Sequence, residues 1–293
     1  MTRLLRPVLV GLLLALAAWA EEPAAEPAKV IAFPGGGRCY PAERRIEIDG
    51  VAVYPTHAPI ELFACAQHGK EHESVLALSC IPQDVHFALL IFGLRDDTEF
   101  PGQKGPQTLG DPAKPVGDRV IVSVQWELDG KQVKVRAEEL LTYGPPRDRR
   151  TMPQVGWTFA GSERWERVDP DTNLRTGETI YMANRERTLV STYHDPSAVL
   201  DNPLVSGGDD RMLHPNFDRL PPRGTKVTLV LEVPDEATLA AMKQAEADAD
   251  AEYLKKIEAE WKTIDETAPT REELTPEQIE ERERVRKERE GGK

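Results

Sequence analysis

Cysteine is scarce in this 293-residue chain, with only Cys39, Cys65 and Cys80. No two of them form a CxxC pair, which excludes a zinc ribbon and a thioredoxin-type redox motif. Three thiols cannot all pair internally, so any disulfide pairing stays open. Cys65 and Cys80 close the apolar runs IELFAC and SVLALSC, where buried free thiols are the simpler reading. Basic residues are outnumbered by acidic ones, 37 against 50, for a net charge of -13. That balance excludes nucleic acid as a partner and disfavours anionic membrane surfaces. No Walker or Rossmann glycine pattern occurs, so no nucleotide cofactor is implied. After the N-terminus no run is apolar enough to span a bilayer.

What the N-terminus holds is the anatomy of an export signal over residues 1–20. Arg3 and Arg6 precede an uncharged run from Val8 to Ala18, and Ala18-Trp19-Ala20 sets small side chains where a signal peptidase needs them. The apolar run is shorter than the roughly 20 residues of a spanning helix. Cleavage after Ala20 is therefore expected, leaving no integral membrane span and a mature chain in the periplasm or outside the cell. Residues 21–37 open with EEPAAEPAK and read as a flexible linker.

From residue 38 to 234 short strands dominate. Arg45-Ile46-Glu47-Ile48 and Val51 to Tyr54 flank Asp49-Gly50, predicting a hairpin, and RVIVSVQWEL and KQVKVR flank Asp129-Gly130 in the same way. Ile60–Cys65, Ser74–Cys80, Trp157–Ala160, Thr179–Ala183, Thr188–Tyr193 and Thr225–Val233 read as further strands, and Ala137–Tyr143 as a short helix. Residues 82–94 form a helix opened by Pro82 and closed near Gly93, apolar enough to be packed on most sides. The Pro/Gly/Asp-rich stretch from Arg95 to Asp118 is a long functional or mobile loop. The fold class is α+β, mainly antiparallel β with one buried helix. Residues 235–293 form a charged helical tail, partly disordered. Leu239, Met242, Tyr253 and Ile257 make a thin stripe suited to light packing or a coiled-coil partner, and a second Glu/Arg helix spans 275–290.

The densest polar cluster is His68-Gly69-Lys70-Glu71-His72-Glu73-Ser74, followed by His86 in the helix. Lys70, Glu71, His72, Glu73, Ser74 and His86 are the candidate ligand-binding residues. His68, His72, His86 and Glu73 have the donor chemistry for a divalent metal, which is the alternative reading. The spacing is not HExxH, because Gly69 interrupts it and Glu73 follows His72 directly. Strand-end satisfaction of backbone groups competes with both readings. Ser162 lacks the glycine flanks of a nucleophile elbow, and Asp169-Pro170-Asp171-Thr172-Asn173 has its Gly and Glu misplaced for a calcium loop, so a surface turn is preferred. No catalytic residue stands out.

Several stretches together resemble the YdjY-domain family of exported bacterial proteins. They are Ala58-Pro59-Ile60-Glu61, Gly69 to Ser74, Val85-His86-Phe87-Ala88-Leu89-Leu90 with Gly93, Phe159-Ala160-Gly161-Ser162, Leu200-Asp201-Asn202-Pro203 and Pro221 to Val227. The resemblance spans about residues 46 to 233 and departs from the family pattern at Asn202. It implies one domain over that range and no settled activity. The ferredoxin-like label some members carry does not transfer, since the cysteine runs of an iron–sulfur cluster are missing. The resulting expectation is a non-enzymatic exported domain that binds an envelope protein or a small ligand, with a metal-binding or redox accessory protein as the alternative.

Overall fold

The computed structural model describes residues 30–34, 36–56, 60–144, 149–267 and Arg284. The export signal over 1–20, most of the linker and the helix expected over 275–290 lie outside the described residues.

The strands run in chain order as β1 (Ile31–Ala32), β2 (Gly37–Tyr40), β3 (Arg45–Ala52), β4 (Leu62–Ala66), β5 (Ser74–Leu78), β6 (Arg119–Leu128), β7 (Lys131–Arg136) and β8 (Leu141–Tyr143). They continue as β9 (Arg150–Thr151), β10 (Trp157–Phe159), β11 (Arg164–Val168), β12 (Arg175–Tyr181), β13 (Thr188–Ser191), β14 (Leu200–Asp201), β15 (Leu213–Pro215) and β16 (Lys226–Glu232). The helices are α1 (Pro82–Ile91), α2 (Met182–Glu186) and α3 (Glu236–Thr267).

The sheet closes on itself. Neighbours follow the order β3-β16-β6-β10-β14-β13-β4-β5, and β5 pairs back onto β3, making a closed barrel. Pairs β4–β5 and β13–β14 are parallel, and the other ring pairs are antiparallel. Closure leaves this ring without a free edge. β2 extends it from β3 and β7 from β6. One apolar core fills it, including Ile46, Ile48, Phe63, Leu76, Trp157, Phe159, Leu229 and Leu231. β11 and β12 stand apart as a separate two-stranded arm whose β11 residues are all exposed. Asp169 closes its tip by accepting from the N–H groups of Asp171 and Thr172, at 2.9 and 2.8 Å. The expected surface turn is this tip. β11 itself, with its exposed alternation of charges, carries no apolar period to announce it.

The two Asp-Gly dipeptides part ways. Asp129 and Gly130, at φ of 50° and 73°, make the expected turn between β6 and β7. Asp49-Gly50 makes no turn: β3 runs straight through it, with Gly50 opposite both Val227 and Leu78. A Cβ on Gly50 would lie 2.6 Å from the Ala77 carbonyl oxygen. This glycine serves a close strand approach at the barrel seam instead of a turn.

Two helical expectations are also revised. Ala137–Leu140 forms a single 3-10 turn before β8. α1 is buried at Pro82, Val85, His86, Ala88 and Leu89, yet Phe87, Leu90 and Ile91 are exposed. Asn184 of α2 caps its first turn, its Oδ1 accepting from the Gln83 N–H at 3.0 Å.

α3 is capped by Asp235, whose side chain accepts from the Thr238 N–H at 2.7 Å. Its early turns dock on the barrel through buried Met242, Ala249 and Asp250. Glu246 pairs with Lys114 and Arg119, Asp250 with Lys114, and Glu252 with Arg150. Among the described residues no helix is long and apolar enough to cross a membrane.

Candidate functional site

The His68–Ser74 segment has a topological task. β4 and β5 are parallel neighbours in register, with Leu62 opposite Ser74 and Ala66 opposite Leu78. A parallel pair normally needs a crossover of about a dozen or more residues. Here Gln67–Glu73 must bring the chain back along the length of β4. The polar side chains make that short return possible. His68 takes a left-handed φ of 65°, and its N–H donates to Glu71 Oε1 at 2.7 Å. Ser74 Oγ, fully buried, donates to the Lys70 carbonyl at 2.7 Å. Lys70 Nζ meets Glu61 Oε2 at 2.8 Å. Burial opposes the Lys70 charge, but the Glu61 carboxylate outweighs it and holds the ammonium above its ordinary range. A Cβ on Gly69 would lie 2.8 Å from that of Arg187, whose carbonyl accepts the Ala66 N–H.

The predicted site residues are thus divided. Lys70, Glu71 and Ser74 hold the crossover together. His72 projects into solvent with its side chain 77% exposed, 3.5 Å from Glu73. His68 is exposed as well. His86 keeps different company, inside the protein. The metal set of His68, His72, His86 and Glu73 is not assembled: among the described residues no three or more His, Cys, Asp or Glu side chains group so as to hold an ion. Cys39, Cys65 and Cys80 are free thiols. Burial pushes all three up, Cys80 to about 12, away from the reactive thiolate form.

Around His86 the polar groups do converge. Its Nδ1 lies 3.0 Å from the Gly161 carbonyl and 3.0 Å from Tyr181 Oη, which itself donates to Gly161 O at 2.9 Å. Its Nε2 faces Asp96 Oδ2 at 3.3 Å, and both side chains are almost fully buried. Phe87, Phe159 and Tyr181 approach the ring edge-on. Burial lowers the His86 basicity, Asp96 opposes the shift and Arg164 adds to it. Burial also raises the Tyr181 phenol, so the hydroxyl is a neutral hydrogen-bonding group and not a base. Gly161 has φ of 84°, and a Cβ there would lie 2.6 Å from that of Asp96. The Phe159–Ser162 stretch is therefore the socket in which α1 is pinned to the base of the arm. Ser162 completes it, its Oγ accepting from the Ala183 N–H at 2.9 Å.

Above that socket lies a concave face of about 1190 Å³, open to solvent. It is bounded by Gln83 of α1, Asn184 and Arg185 of α2, and Arg164, Trp165 and Tyr181 of the arm. The Arg164 guanidinium sits 5.5 Å from the centre of the Tyr181 ring. Trp165 is 50% exposed on the arm, and Phe87 and Ile91 of α1 are 50% and 59% exposed. Sequence reasoning missed this face because its residues come from α1, α2 and the arm, separated by about 80 positions.

The fold and site define a class: a small closed β-barrel bearing a projecting hairpin arm, with an open, partly apolar face at the arm's root. Within that class the sequence profile of the YdjY domain matches residues 42–232, and the chain belongs to that family. Neither a curated protein nor a solved structure matches the chain.

Proposed function

We propose that the chain is exported to the cell envelope and acts there as a non-enzymatic module that binds a partner protein, seating it on the bare stripe of α1 and the face beneath the β11–β12 arm. One observation carries the reading. α1 is apolar on every side, a composition that belongs to a buried helix, yet Phe87, Leu90 and Ile91 lie exposed along one stripe at i, i+3 and i+4 spacing. Clustered apolar exposure on an otherwise acidic surface marks an interaction site more often than it marks idle surface. The arm supports it, since an isolated two-stranded hairpin is marginal in water and here displays Trp165, Val168 and Leu174. Arg164 adds a guanidinium held over the Tyr181 ring. The Arg3–Ala20 segment supports export.

A photoreactive amino acid placed at Phe87, at Trp165 and, as a control, at exposed Leu128 of β6 tests the reading in living cells of the source organism. The expected result is a discrete adduct at the first two positions and none at Leu128. Equal labelling at all three positions, or none at any, removes the proposal. Export is tested on the same material: the purified chain should begin at Glu21, and a retained Met1 refutes cleavage.

A further inference from the structure

We infer that His194 is a fully buried imidazolium that latches the Gly105–Val116 loop onto the barrel and thereby sets the width of a second cleft. His194 follows β13 and is 0% exposed. Its Nδ1 lies 2.6 Å from the Asp111 carbonyl oxygen and its Nε2 lies 3.0 Å from the Asn202 carbonyl oxygen. A backbone carbonyl only accepts hydrogen bonds, so each ring nitrogen must carry a proton to make its contact. A neutral ring would hold one lone pair against a carbonyl at bonding distance, with no water to separate them.

A buried cation needs nearby negative charge. Two carboxylates interact with this ring, Asp111 on the loop and Asp201 on β14. Asp201 is fully buried. Its Oδ1 accepts from the Ser191 hydroxyl and, at 2.8 Å, from the Asn202 N–H, while Oδ2 has no partner. Burial pushes Asp201 up to about 7, against the pull of His194. Asn202 belongs to the same latch. Its amide donates to the Thr192 carbonyl at 2.8 Å, which fixes the carbonyl that His194 reaches.

The loop is shaped to sit on the ring. Gly110 N–H donates to the His194 carbonyl at 2.8 Å. A Cβ on Gly207 would run into the imidazole, and one on Gly208 would lie 3.1 Å from the Pro112 Cα. The latched loop then supplies Gly105, Pro106, Pro115 and Val116 to one side of a cleft of about 220 Å³, opposite Ala160 and Pro196.

The experiment uses the full chain with ¹⁵N-labelled histidine. The ring-nitrogen shifts of His194 at neutral pH should show both nitrogens protonated, and one bare nitrogen overturns the assignment. His194→Gln offers a single amide donor for two carbonyls, so Gly110 amide exchange should quicken by about tenfold or more. His86→Gln should leave that exchange unchanged. If His194→Gln does not fold, the ring-nitrogen shifts of the wild type decide.

Discussion

α1 and α3 invert what their compositions lead one to expect. α1 is short and apolar all round, and it leaves Phe87, Leu90 and Ile91 bare. α3 is long and heavily charged, and its early turns lie firmly on the barrel. The difference lies in the surface each helix meets. α3 meets a barrel wall that answers it group by group. Met242 fits against Gly156, where φ is 65° and any Cβ would clash with the methionine. Lys114, Arg119 and Arg150 match its acidic side, and the Val205 N–H donates to Asp250 Oδ1 at 2.9 Å. α1 meets the core on one side, the His86 socket on its flank, and nothing described along Phe87 and Ile91. Docking is a property of the pair of surfaces, and a helical stripe in the sequence supplies only half of that pair.

The largest expected effect breaks the α3 side of this comparison. Met242→Ala removes a side chain that is only 2% exposed and leaves a hollow over Gly156 that the glycine cannot fill. Chemical denaturation should show a loss of about 2–4 kcal/mol. A loss under about 0.5 kcal/mol would mean that α3 rests on the barrel without contributing to its stability.

Glu246→Gln comes next. Among the described residues Glu246 is the one carboxylate that bonds both Lys114 and Arg119. Lys114 keeps Asp250 in the variant, but Arg119, its side chain 10% exposed, loses its carboxylate partner and keeps the neutral Thr158 Oγ1 at 3.0 Å. A loss of about 1–2 kcal/mol is expected in denaturation, well below that of a fully buried pair because Lys114 is half open to solvent. Equal stability of wild type and variant would assign the docking to Met242 and Ala249 alone.

Much of this architecture was legible in the sequence, and the failures have physical causes. Strand alternation marked β3, β6, β7 and β16, and the second Asp-Gly pair marked its turn, because these signals are local. The first Asp-Gly pair misled because a close approach of two backbones across a barrel seam demands the same glycine that a tight turn demands. Closure of the barrel depends on β5 returning to β3, a long-range pairing with no signal in either strand. The polar crossover was conspicuous for its residue types, but its meaning rests on β4 and β5 being parallel. Residue type suggested ligands where the topology uses Glu71 and Ser74 to close a short return. His194, Asp201 and Asn202 sat inside a recognised stretch or beside it without standing out, since a buried histidine looks the same in sequence as an exposed one.

Acid should separate the two helices without any substitution. His86, which pins α1, has its basicity lowered chiefly by burial. The unfolded chain therefore takes up a proton first, and the socket's contribution is complete above about pH 6.5 and declines as pH falls below it. On α3, Glu252 is held below the usual carboxylate range by Arg150 and Lys256, and Asp209 near its docked turns by Arg211. Contributions of this kind persist until pH falls below the ordinary carboxylate range of about 4. Hydrogen exchange at about pH 5 should therefore show α1 amides losing protection relative to pH 7 while those of Met242–Asp250 keep theirs. Loss in the reverse order would place the acid-sensitive groups under α3.

The smallest effect on stability is expected where the functional proposal rests. Phe87→Gln with Ile91→Gln removes two half-exposed apolar side chains and replaces them with a good helix former. Little buried area is lost within the chain, so the unfolding free energy should change by no more than about 0.5 kcal/mol. Adducts from a photoreactive group at Trp165 should disappear all the same, because Gln83, one turn before Phe87 on α1, and the arm bound one face. The two readouts discriminate between the possible roles of the stripe. If stability falls by more than about 2 kcal/mol, these side chains complete the protein's own packing, and their exposure says nothing of a partner. If stability and adduct both persist, the partner holds the arm alone, and the apolar surface of α1 is not what it recognises.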